Sequence, residues 1–128
     1  MANEPLIPDG MGRPSSPLVP GVKAGNTIYV SGQLPLGRDG RLVGPGDVAV
    51  QTRQVLENVR TIVELGGGKV TDIVKVNVYL PNMAHFERMN GAYVQFFGEH
   101  RPARATVEAR LAGPDFLVEI EAIAVLQG

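Results

Sequence analysis

From Asp47 onward the spacing of apolar positions changes period twice, and those changes mark out the layers of the fold. Val48, Val55, Leu56, Val59, Ile62 and Val63 recur on one helical stripe. Asp47 offers an oxygen to cap the first turn, and Gly66-Gly67-Gly68 ends the run. Ile73 to Leu80 then alternates, with Val74, Val76, Val78 and Leu80 on one face of a strand and Lys75, Asn77 and Tyr79 on the other. Pro81-Asn82 stops that strand and caps a second helix, whose apolar side holds Phe86, Met89, Tyr93 and Phe97.

Upstream, Thr27 to Ser31 is a short β-rich run closed by Gly32, and the glycines of 37–40 and 44–46 supply turns around another short strand. Downstream, two runs from about Arg104 to Leu111 and about Phe116 to Leu126 are joined by Ala112-Gly113-Pro114-Asp115. The order strand, strand, helix, strand, helix, strand, strand predicts an α+β fold with two helices packed on one face of a mixed sheet. Pro5, Pro8, Pro14, Pro17 and Pro20 mark residues 1–22 as an extended N-terminal arm on a single domain spanning 1–128.

The last two runs carry a signal about assembly. Val118, Ile120, Ala122, Ala124 and Leu126 form one apolar face of the final strand, yet Leu117, Ile123 and Val125 keep the other face partly apolar around Glu119 and Glu121. Two helices cover one side of a sheet, so the second side is expected to pack against other subunits. If the two runs form a hairpin, Arg104 pairs near Ala124 or Val125, on the order of 16 to 20 Å along the strand from Glu119. Both groups then reach one small ligand only from different subunits.

Composition narrows the chemistry. The chain has 128 residues, enough for one core, with 44% hydrophobic and 20% charged residues, which excludes a disordered chain. A net charge of -1 gives no drive toward nucleic acid. There is no cysteine, which removes thiolate catalysis and cysteine-ligated zinc. No signal-peptide pattern and no membrane-length apolar run stand out, so a soluble cytoplasmic protein without membrane partners is expected.

What remains is a guanidinium, Arg104, and a carboxylate, Glu119, in apolar surroundings. The first can hold a substrate carboxylate in a fork of hydrogen bonds and the second can handle a water, which together point to hydrolysis of a small acid. Plainer readings exist for both: Arg104 as the partner of an acidic side chain, Glu119 in a cross-strand ion pair with Arg110. Ser31 has no histidine and acid arranged to activate it, and so reads as a contact group. His85 and His100 have no metal-site spacing and are expected to be exposed structural residues. Gly66-Gly67-Gly68-Lys69 lacks phosphate-loop spacing.

Val30-Ser31-Gly32-Gln33, Gln54 to Val59, Asp72 to Lys75, Phe86 to Tyr93, Pro102-Ala103-Arg104 and Val118 to Ala122 together resemble the RidA/YjgF family of enamine/imine deaminases, from about Pro17 onward. The resemblance implies a chorismate-mutase-like fold and a homotrimer around a central barrel with clefts between subunits. It implies a 2-iminobutanoate/2-iminopropanoate deaminase that hydrolyses 2-aminoacrylate-type enamines, through 2-imino acids, to 2-keto acids and ammonia, with no metal or organic cofactor. By that likeness Arg104 binds the substrate carboxylate and Glu119 orients or deprotonates the water. Ser31 and Gly32 shape the floor, Asn90 lies at the cleft edge, and Thr106 stands where many relatives have cysteine. Leu18 stands where active relatives commonly have tyrosine, which opens a second reading as a non-catalytic small-carboxylate binder or accessory protein. RNA cleavage has also been associated with the family, and the near-neutral charge speaks against it here.

Overall fold

In the computed structural model, residues 2–11 and 16–127 are described; the arm expectation for Pro14 lies outside them. One sheet is built from β1 (Glu4–Leu6), β2 (Gly21–Ala24), β3 (Thr27–Gln33), β4 (Ile73–Leu80), β5 (Ala103–Glu108) and β6 (Glu119–Val125), in the order β1-β2-β3-β6-β4-β5. Helices α1 (Val48–Leu65) and α2 (Phe86–Phe97) lie on one side of it. The expected α+β layering is therefore present.

The strongest local signals behave as read. Every residue of the expected α1 stripe is buried, and Asp47 caps the helix by accepting hydrogen bonds from the Ala49 and Val50 amides at 3.1 Å. At the other end Gly66 is the C-cap of α1, so the glycine run is a helix stop. Met89, Tyr93 and Phe97 bury the inner side of α2, with Phe86 partly buried against the same core. Asn82 caps a 3-10 turn at Met83–His85 that precedes α2 instead of capping α2 itself.

Several expectations are corrected. The proline-rich opening is not wholly an arm: Glu4–Leu6 pairs with β2, and Leu6 is buried in the core. The expected strand among residues 37–46 is reduced to an isolated bridge between Leu36 and Leu42. Within β4, Ile73 is buried and Val74 exposed, because the register with β6 slips between Ile73 and Lys75 and moves Val74 out of the core-facing row. His100 is half-buried with Nε2 2.7 Å from the Ile73 carbonyl, and the His85 ring is half-buried too, so neither is a free surface histidine.

The largest correction concerns β5 and β6, which do not form a hairpin. Chain leaving β4 crosses α2 and returns as β5 parallel to β4, on the sheet edge, as a strand-helix-strand crossover requires. Residues 109–118 then carry the chain to the other side of β4, where β6 pairs antiparallel with both β4 and β3. Gln51, fully buried on α1, anchors that connection: its amide nitrogen donates to the Asp115 and Gly44 carbonyls at 3.1 Å, and its oxygen accepts from the Leu117 amide at 2.8 Å.

Candidate functional site

Tyr79 is paired with Glu119 on one side and with Val107 on the other, while Val76 is paired with Ala122 and Arg104. Val76 and Ala122 are buried beneath the helices, whereas Tyr79 points away from them. Side chains alternate along a strand, so Arg104 lies on the helix side and Glu119 on the uncovered side. Within one chain the two groups do not meet, and the reason is sidedness as well as distance.

The Glu119 cluster is set by an irregularity in β3. Val30 pairs with Ala122 and Gln33 with Ile120, so three steps along β3 match two along β6. This bulge turns Ser31 and Gly32 together toward the uncovered face. A side chain at Gly32 would overlap the Glu119 carboxylate as it stands, so glycine here lets that carboxylate lie directly against the β3 backbone. Glu119, Gly32 and Leu18 line a cavity of about 460 Å³, with Leu34, Leu36 and Asn58 in its walls. Leu18 is 47% exposed and presents hydrocarbon there.

Ser31 is placed differently from the expectation. Its hydroxyl donates to the Val19 carbonyl at 2.6 Å, and its side chain lines a separate pocket with Asn77 and Glu121. Its role in this chain is to tie the segment before β2 to the bulge.

Burial pushes the Glu119 carboxyl above its ordinary value, and the charge of Glu121 raises it further, with no cation among the described residues offsetting the rise. Glu121 itself is a structural acceptor, taking hydrogen bonds from Tyr79 Oη at 2.5 Å and Asn77 Nδ2 at 3.0 Å. That bond, burial and the two nearby carboxylates push the Tyr79 phenol up to about 12. The alternative ion pair between Arg110 and Glu119 is absent: among the described residues the ion pairs are Arg41–Asp39 and Arg60–Glu57.

The second cluster lies between β5 and α2. Arg104 and Thr106 turn inward from β5 and are half-buried, which leaves Val107 44% exposed. The Arg104 guanidinium sits 4.7 Å from the centre of the Tyr93 ring and 5.8 Å from that of Phe86. This stacking orients a cation without neutralising it. Asn90 falls between those aromatics on the same helical stripe. Asn90 Oδ1, Tyr93 Oη and Thr106 Oγ1 are all buried without a hydrogen-bond partner among the described residues. Burial raises the Tyr93 phenol and the Arg104 charge partly counters it.

Buried polar groups without partners cost about 1–3 kcal/mol each, so three of them around one unpaired guanidinium mark a place where a polar ligand belongs. Tyr93 was read from the sequence only as part of an apolar stripe, and nothing in its spacing distinguishes it from a core aromatic. His, Cys, Asp and Glu form no cluster of three with metal-site geometry among the described residues. Among the described residues no helix is long and apolar enough to cross a membrane.

The class is an α+β domain with an uncovered sheet face that sets one carboxylate on that face and one cation among unpartnered polar groups on the other. The comparisons with known proteins make the class specific. The chain matches the family described as Endoribonuclease L-PSP over residues 11–126 and belongs to it, that is, to the RidA/YjgF family. It is 40% identical to a 3-aminoacrylate deaminase, RutC, of Acinetobacter baylyi, over 97% of this chain and 98% of that protein. The crystal structure of the YjgF gene product from E. coli superposes with a TM-score of 0.88 at 41% identity, covering 97% of this chain and 99% of that one. That of E. coli TdcF with bound serine does so with a TM-score of 0.86 at 36% identity, covering 97% and 100%.

Proposed function

We propose that this chain hydrolyses 2-imino acids, formed from 2-aminoacrylate-type enamines, to 2-keto acids and ammonia at sites shared between neighbouring subunits of a homotrimer. The observation that carries the reading is the division of the candidate residues into two unlike half-sites on opposite sides of the sheet. One holds a carboxyl that makes no ion pair and the other a cation that makes none, among the described residues. A cyclic assembly places the β5–α2 edge of one subunit over the Glu119 cavity of the next, which completes both. The deaminase relative and the serine bound in TdcF support a small amino-acid-like substrate.

In this arrangement Arg104 grips the substrate carboxylate in a fork of hydrogen bonds. Thr106 and Asn90 supply the remaining polar contacts, and Gly32 leaves room for Glu119 at the reacting carbon. Glu119, with its carboxyl raised by burial, accepts a proton from water as the water oxygen bonds to the imine carbon. That proton passes to the imine nitrogen to give a carbinolamine; the hydroxyl proton then passes through Glu119 to the amine as the carbon–nitrogen bond breaks, the carbonyl forms and ammonia leaves. An imine carbon is already electrophilic, so positioning and charge placement supply most of the catalysis.

Subunit mixing tests the shared site. Arg104→Ala and Glu119→Gln chains are each expected to be nearly inactive. After unfolding and reassembly at equal amounts, random mixing restores about one quarter of the sites, because each site draws one group from each of two subunits. No recovery in correctly assembled mixed trimers means that the two groups do not share a site.

Leu18 favours a second reading, a non-catalytic binder of small carboxylates, because it offers no hydroxyl at the cavity wall. Calorimetric binding of 2-keto acids without acceleration of imine hydrolysis is its signature.

A further inference from the structure

The cavity in front of Glu119 carries a second charged group in its wall, Arg38, and these two are the charged residues among its described lining. Arg38 sits on a tight turn: the Gly37 amide donates to the Arg41 carbonyl and the Gly40 amide to the Gly37 carbonyl, both at 2.9 Å. Gly40 takes the positive φ of 79° that such a turn needs. From α1, Asn58 Nδ2 donates to the Leu34 and Leu36 carbonyls at 3.2 and 3.0 Å, and so fastens the strand leading into the turn to the helix layer. The turn is therefore held in place before any ligand arrives.

The guanidinium has donors to spare. One nitrogen donates to the Asp9 carbonyl at 3.1 Å, and a guanidinium has five N–H groups. Its sequence neighbour Asp39 is paired with Arg41 instead, and Arg38 makes no ion pair among the described residues. Nor does Arg38 offset the raised Glu119 carboxyl, so the two charges serve separate parts of the cavity.

We propose that Arg38 is a distal anion subsite, and that this chain prefers imino acids bearing a second carboxylate over those with a short alkyl side chain. The proposal rests on the deaminase reading above and names its substrate class. Arg38 and Glu119 line one cavity of about 460 Å³ in the single subunit, in the range that accommodates small-molecule ligands, roughly 300–1,000 Å³. A substrate with two carboxylates is repelled by ionised Glu119 unless its far charge has a cation of its own. Arg38 supplies that cation, while Leu18, Leu34 and Leu36 line the wall with hydrocarbon and offer a second carboxylate no other charged partner. The chemical step is unchanged: water adds to the imine carbon and ammonia leaves, with the distal carboxylate untouched.

The test measures kcat/KM for 2-iminopropanoate, 2-iminosuccinate and 2-iminoglutarate, each generated in situ by a flavin amino-acid oxidase, in wild type, Arg38→Gln and Arg38→Lys. Calorimetric titration with pyruvate, oxaloacetate and 2-oxoglutarate runs alongside and needs no turnover. Wild type is expected to favour at least one dicarboxylic imine. Arg38→Gln should lower the dicarboxylic-to-monocarboxylic ratio by about 10- to 100-fold, the usual worth of a hydrogen-bonded charge contact. Arg38→Lys should recover part of it. An unchanged ratio in Arg38→Gln, or an equal fall for all three imines, overturns the subsite and leaves the deaminase reading standing. If wild type turns over none of them, the deaminase reading fails, and the titrations decide the subsite alone. Tighter diacid binding that Arg38→Gln abolishes supports it, and equal binding of all three keto acids overturns it.

Discussion

The two half-sites differ in how complete they are. Around Glu119 the neighbours are tied to one another: the carboxylate lies against Gly32 and opens onto the cavity, Ser31 is bonded to the Val19 carbonyl, and Glu121 is held by Tyr79 and Asn77. Around Arg104 the opposite holds, since the cation rests on aromatic rings and three buried polar atoms have no partner. The first region is packed in the core of the sheet, between β3 and β4, and the second lies on its edge. A central strand can brace a charge with its neighbours on both sides. An edge strand must leave its cation for whatever comes alongside.

Four measurements break or sharpen that contrast. The largest effect is expected from Arg104→Ala, which should lower kcat/KM for a 2-imino acid by about 10²-fold or more. A change below threefold would remove Arg104 from the site. Next is Gln51→Leu, which strips two hydrogen bonds from the connection that leads into β6 and one from the Gly44 turn before α1. Urea denaturation should show a loss of about 2–4 kcal/mol, and a loss under 0.5 kcal/mol means that the Glu119 side is not braced as described.

A smaller effect concerns pH. The folded Glu119 carboxyl is raised above its unfolded value, so its contribution to stability is present below the unfolded glutamate value of about 4.3 and is lost as pH rises through the folded value. In an Arg104→Ala background, where no neighbouring guanidinium can compensate, thermal stability should fall across that window, and adding Glu119→Gln should abolish the fall. Identical pH profiles for the single and double variants would show that Glu119 is not desolvated.

Smallest of all is Thr106→Val. Its hydroxyl is buried without a partner, so an apolar group of the same shape should leave stability within about 0.5 kcal/mol or raise it. A loss above 1 kcal/mol would reveal a bond to the hydroxyl and weaken the case for an open polar nook.

Much of the architecture was legible along the chain because it depends on neighbours in sequence. The stripe of α1, the Asp47 cap, the bounds of β4 and the glycine stop are settled by contacts within a few residues, which local periodicity reports. The candidate site residues Arg104, Glu119, Gly32, Asn90 and Thr106 were nameable through family likeness. Their sorting into two clusters was not, because it depends on strand pairing across long stretches of chain. Short turn signals at Ala112-Gly113-Pro114-Asp115 suggested a hairpin, yet a strand cannot reveal from its own residues which edge it will join.

By itself, then, the sequence determined the two helices with their apolar stripes, strands β3 to β6 in outline, and which charged side chains stand in apolar surroundings. Tertiary structure alone decided that β5 runs parallel on the edge, that a bulge brings Gly32 against Glu119, and that Gln51 and Arg38 matter at all. The physical reason is that hydrophobic period is written locally. Register, sidedness and the pairing of buried polar groups are set only when distant strands meet and each hydrogen-bonding group must find a partner or be left without one.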